Sequence, residues 1–111
     1  MLYIDDDNTI HLTRGDTARI AVPITNEQTG TDYEMSEKDI LTLTVKKRES
    51  DSNIIFQKIN TGSHNFHIEP SDTKDVSFGK YVYDVQLTTE SGDVYTVIVP
   101  SIFEILKEVT W

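Results

Sequence analysis

The sequence predicts an all-β protein, an antiparallel sandwich of about seven to eight strands in a single domain. Three observations carry this expectation. Apolar residues recur every second position and almost never with helical spacing; clusters of Gly, Pro, Asn, Asp and Ser separate the runs at short intervals; and 111 residues are enough for one core but not two. No cysteine is present, so burial and backbone pairing must hold the fold without disulfides or thiolate metal sites.

Taken in order, residues 10–12 form a leading strand. Residues 17–25 place Ala18, Ile20, Val22 and Ile24 on one side and Arg19, Ala21, Pro23 and Thr25 on the other. Pro23 has no N–H for a ladder, which predicts an open edge or a bulge there. Residues 39–47 show the clearest alternation, with Leu41, Leu43 and Val45 opposed to Thr42, Thr44 and Lys46. Residues 53–59 and 65–68 are two shorter strands around the turn residues 60–63, and they read as a hairpin.

A short helical turn is expected near 71–75, after Pro70 and among capping residues. Residues 81–88 then point Tyr81, Tyr83, Val85 and Leu87 inward. The Gly-containing connection 89–93 reverses the chain into residues 94–99, where apolar side chains occupy both parities. That strand is either covered on two sides or leaves one face for a partner. Pro100 is expected to interrupt pairing before a last strand over 102–109, with Phe103 and Ile105 on one side.

Composition narrows the function classes. The hydrophobic fraction of 37% and charged fraction of 26%, with Pro and Gly scarce, describe a folded chain, not a disordered one. A formal charge of −9 repels phosphates and anionic lipid, so neither nucleic acid nor membrane is an expected partner. Lys46, Lys47 and Arg48 are the only basic cluster; Glu49 and Asp51 follow at once, and a solvated strand end explains them. No run approaches the roughly 18 apolar residues that span a bilayer, and the start of the chain does not read as a signal peptide.

Motifs for chemistry are weak. Arg14, Gly15 and Asp16 spell an integrin-binding tripeptide, but the same letters make a turn before a strand. Asp5, Asp6 and Asp7 lack the ligand spacing of a calcium loop and read as a solvated segment. His64 and His67 fall on opposite faces of a strand, and His11 is solitary, so no zinc set forms. There is no nucleophile elbow and no phosphate-cradling glycine loop, and 19 acidic residues make chance carboxylate pairs uninformative. The expectation is no enzyme activity, no catalytic residue, no metal and no cofactor. Tyr33, Tyr81, Tyr83, Tyr95 and Trp111 are candidate stacking residues for sugar, although most should serve the core.

Two resemblances refine the reading. In Gly79-Lys80-Tyr81-Val82-Tyr83, Tyr81 stands where immunoglobulin-like domains carry a tyrosine corner, its hydroxyl folding back to upstream backbone. Tyr83 occupies the position of the second bridging cysteine of antibody domains, and no strand tryptophan accompanies it, so the resemblance is to a divergent immunoglobulin-like sandwich. The order of segments 14–17, 39–47, 69–73, 79–87 and 103–105 also resembles small phage and prophage structural proteins, including the N-terminal domain of phage baseplate upper proteins. That resemblance implies a tail- or baseplate-associated virion protein, located in the virion or in host cytoplasm during assembly. Its partners would be other virion proteins or copies of itself. Tyr95, Val97, Val99, Leu106, Val109 and Trp111 are the candidate interface residues. The alternative expectation is a carbohydrate- or cell-surface-binding module using the loops at 29–33 and 91–93.

Overall fold

The structure, a computed structural model, describes residues 2–26 and 28–108. Among them are ten strands and one helical turn: β1 (Leu2–Ile4), β2 (Ile10–Thr13), β3 (Ala18–Ala21), β4 (Thr25–Asn26), β5 (Thr31–Asp32), β6 (Ile40–Lys46), β7 (Ile54–Thr61), β8 (Asn65–Ile68), α1 (Pro70–Thr73), β9 (Gly79–Thr88) and β10 (Val94–Leu106). The chain is all-β. A six-stranded sheet runs β1-β2-β10-β9-β6-β7, while β3 pairs with β8 and β4 with β5 in separate two-stranded sheets. All pairs are antiparallel except β2 with β10, which run parallel.

Period-two patterning produces the core directly. Leu41, Leu43 and Val45 of β6 and Tyr81, Tyr83, Val85 and Leu87 of β9 all point inward and are buried. Ala18 and Ile20 of β3 and Phe66 and Ile68 of β8 complete the same apolar cluster from the small sheet. Phe103 lies at its centre, fully buried, with its ring edge-on to Phe56 at 5.6 Å and to Tyr83 at 6.0 Å.

Three sequence expectations need correction. Residues 53–59 and 65–68 are not a hairpin: β7 pairs with β6, and β8 crosses to the other sheet to pair with β3. Burial of Phe66 and Ile68 against Ala18 and Ile20 drives that crossing. Pro100 does interrupt the pairing, at the register shift between Ile98 and Ser101, but it does not divide the strand: β10 continues through it, and the shift takes up the residue that cannot donate. Finally, the expected strand over 17–25 is divided around Pro23 into β3, which stops at Ala21, and β4, which begins at Thr25, and the short strands β1 and β5 have no counterpart in the sequence reading.

The helical turn α1 is closed by a capping box, in which the Glu69 N–H donates to Asp72 Oδ2 at 2.8 Å. Lys58 of β7 reaches the same carboxylate at 2.7 Å. Thr73 is buried and its Oγ1 accepts the Gly15 N–H at 2.8 Å, which fastens α1 to the turn before β3. Gly15 has φ 81°, the left-handed conformation that its turn requires. Arg14, beside it, is held by Glu108 through Nε at 2.8 Å and Nη2 at 2.6 Å, so this tripeptide is a tied-down corner.

Candidate interaction surface

Strand β10 has two unlike halves. From Phe103 to Ile105 it lies between β2 and β9, paired on both sides, and Leu106 continues the pairing with β2. From Val94 to Ile102 it pairs with β9 only, and its other edge meets no strand among the described residues. The side chains follow this division. Val94, Tyr95, Val99 and Ile102 are exposed large apolar residues, Val99 at 65%, whereas Phe103 and Ile105 are buried. Val97 and Ile98 are half-buried against the core.

A groove of about 230 Å³ opens beside the free half. Ile4, Ile10, Ile20, Val22, Leu43, Val85 and Ile98 line it with the Tyr83 ring, and it is almost wholly apolar. An unpaired strand edge next to an apolar groove has the two parts that strand addition uses: backbone groups for the ladder and pockets for alternate side chains.

Tyr95, Val97 and Val99 therefore lie together on the open half. Leu106 sits at the covered end, seven residues from Val99 and so roughly 23 Å along the strand, and it does not join them. It is half-buried, and its carbonyl accepts the Arg14 N–H at 2.9 Å. Val109 and Trp111 lie outside the described residues. Tyr81 is buried, with its hydroxyl donating to the Ser77 carbonyl at 2.6 Å. Tyr83 is buried too and donates to the Asn8 carbonyl at 2.5 Å; burial pushes its phenol up to about 12. Tyr81 and Tyr83 thus belong to the core and form no stacking platform.

The outer face of the six-stranded sheet carries a second, shallower groove of about 360 Å³ with a more polar lining: Thr44, Lys46, Gln57, Asp84, Gln86 and Pro100 among others. Burial raises the Asp84 carboxyl, and Lys46 pulls it back down.

At one end of the molecule Asp39 ties the loops together. It is 2% exposed, and its carboxylate accepts the Tyr33 hydroxyl at 2.5 Å, the Ser36 N–H at 3.1 Å and the Glu90 N–H at 3.0 Å. The Tyr33 bond, then the backbone bonds, hold its pKa below the usual carboxylate value against the opposing effect of burial. The Asp39 carbonyl also accepts the Gly62 N–H at 2.8 Å. Gly62 has φ 72°, and a Cβ there would meet the Glu37 Cα at 3.0 Å, so the approach needs glycine.

His11 is not solitary, which corrects the sequence reading. Its Nδ1 lies 2.7 Å from Glu104 of β10, and its Nε2 lies 2.8 Å from Asp5 in the turn after β1. The bond to Asp5, then that to Glu104, raises the imidazole pKa against partial burial, so the two carboxylates favour the protonated ring. Neither Asp39 nor His11 has a signal in a period-two reading, which reports facing and not side-chain partners, and one partner of each, Glu90 and Glu104, lies in a distant segment. No three or more His, Asp or Glu among the described residues form a metal-holding group, and no helix is long and apolar enough to cross a membrane.

No protein-family model matches the chain, and no curated protein is significantly similar to it in sequence.

Proposed function

We propose that this chain is a non-enzymatic assembly module of a phage or prophage virion, associated with the tail or baseplate, with a divergent immunoglobulin-like β-sandwich fold. The fold reading is supported by the two sheets that share one core, the parallel β2–β10 pair and the Tyr81–Ser77 hydrogen bond. The functional reading rests on the free half of β10, where Tyr95 and Val99 are exposed and Ile98 lines an apolar groove; an extended segment of a neighbouring virion protein would pair with this edge. Both nitrogens of His11 are engaged by carboxylates of its own chain, which is in keeping with a structural role for the ring. The negative charge turns nucleic acid and anionic membrane away. Particles released from an induced producing strain are expected to contain the chain by mass spectrometry, and Val99→Asp to deplete it from them. Particles that lack the chain, or that keep it undiminished with Val99→Asp and Tyr95→Asp together, would refute this reading.

A second reading is favoured by the Asp39 cluster, which holds the Tyr33 loop and the 89–93 turn in fixed positions at one end. Preorganised loops of this kind suit a carbohydrate- or cell-surface-binding module. Binding on a glycan array in the presence of calcium, abolished by substitutions in residues 29–33, would support it; silence would dismiss it.

A further inference from the structure

We infer that two copies of this chain associate through strand β7, edge to edge and antiparallel, about a two-fold axis at Ile59. Strand β7 is the last in its sheet, bonded to β6 on one side only. The register continues one step past Ile40–Thr61 to Asp39 and Gly62, where the Gly62 N–H donates to the Asp39 carbonyl at 2.8 Å. Bonded and non-bonded pairs alternate along an antiparallel ladder. Asn60, Lys58 and Phe56 therefore bond to β6, while Gln57, Ile59 and Thr61 aim their N–H and C=O groups out of the sheet.

This edge carries little of the protection that keeps strand edges apart. It has no proline; its single charged residue, Lys58, is drawn off to Asp72 at 2.7 Å; and Ile59 is 60% exposed. A bulge between Val45 and Lys46 disturbs only the Ile54 end.

Charge selects a second copy as the occupant. A two-fold contact sets a patch against itself, so in a chain of net charge −9 it must be built where acids are missing. Residues 52–68 are the longest stretch without Asp or Glu, and β7 lies wholly inside them. Centred on Ile59, the pairing sets Ile59 against its own copy and Gln57 against Thr61, matching apolar with apolar and polar with polar. The contact is separate from the β10 surface and stands without the virion assignment.

Sedimentation velocity of the full chain over a wide concentration range tests it. The expected mass rises from that of one chain, 12.7 kDa, toward twice that value. Ile59→Pro removes an outward N–H and the apolar side chain at the axis without touching a bond to β6, and is expected to weaken association roughly tenfold or more. Ile59→Lys, which sets like charges opposite each other, is expected to do the same should the proline variant melt early. Amide exchange of Gln57, Ile59 and Thr61 should slow only in concentrated protein, and Val99→Asp should leave association unchanged. A mass that stays at one chain overturns the inference, as does association that survives both Ile59 variants or falls with Val99→Asp instead.

Discussion

The two halves of β10 have similar apolar content and opposite fates. Phe103 and Ile105 are enclosed because β2 closes the sheet beside them, whereas Tyr95 and Val99 stay in solvent because β2 pairs only from Phe103 onward. The same strand thus serves the core at one end and offers an open edge at the other. Hydrophobicity alone does not mark core or interface; the reach of the neighbouring strand does.

The largest test of this contrast is a truncation in each half. Phe103→Ala leaves a cavity between Phe56 and Tyr83 and is expected to cost about 3–5 kcal/mol by urea denaturation. Val99→Ala is expected to stay within about 0.5 kcal/mol, since the side chain is exposed. Equal costs would erase the distinction between the halves. Next in size is Asp39→Ala, which orphans the Ser36 N–H before β6 and the Glu90 N–H in the turn leading into the open half; about 2–3 kcal/mol is expected from the same denaturation experiment. Tyr81→Phe, opposite Phe103 in register, loses only the Ser77 bond, and its expected cost is about 1 kcal/mol.

The smallest effect is a pH dependence at the covered half, where His11 clips the β1 turn to β10. Its folded pKa is raised above the ordinary 6.5, so the clip stabilises fully below that value and its contribution is lost as pH rises through the folded pKa. Asp39 and Glu108 carry the opposite sign. Hydrogen bonds from Tyr33 and from Arg14 lower their pKa values, so their contributions are present above the ordinary carboxylate range and are lost as pH falls through the lowered values. An NMR titration should show the His11 ring losing its proton above pH 6.5, with fraying of Leu2–Ile4 in parallel. A ring that titrates below that value would remove the clip from the account.

Much of this fold was legible in period-two alternation, because β6 and β9 lie inside a sheet with one face in the core. Leu41, Leu43, Val45 and the inward residues of β9 could be read directly. Pairing was less legible. Two strands separated by a short turn read as a hairpin, and only the burial of Phe66 and Ile68 against β3 shows that the chain changes sheet there. The mixed parity of residues 94–99 did signal unusual burial, and the exposure of Tyr95 and Val99 beside half-buried Val97 and Ile98 matches it. Leu106 belongs to the covered end, while Asp39 and His11 each gain one partner remote in sequence, Glu90 and Glu104. Alternation reports which way a side chain points, not what awaits it.

Amide hydrogen exchange read residue by residue along β10 in dilute protein tests the central claim most directly. The amides of Phe103 to Leu106 should exchange only through global unfolding, while those on the free edge between Val94 and Ile102 exchange orders of magnitude faster. Uniform protection along the whole strand would contradict the account, because it would mean that the edge between Val94 and Ile102 is already covered.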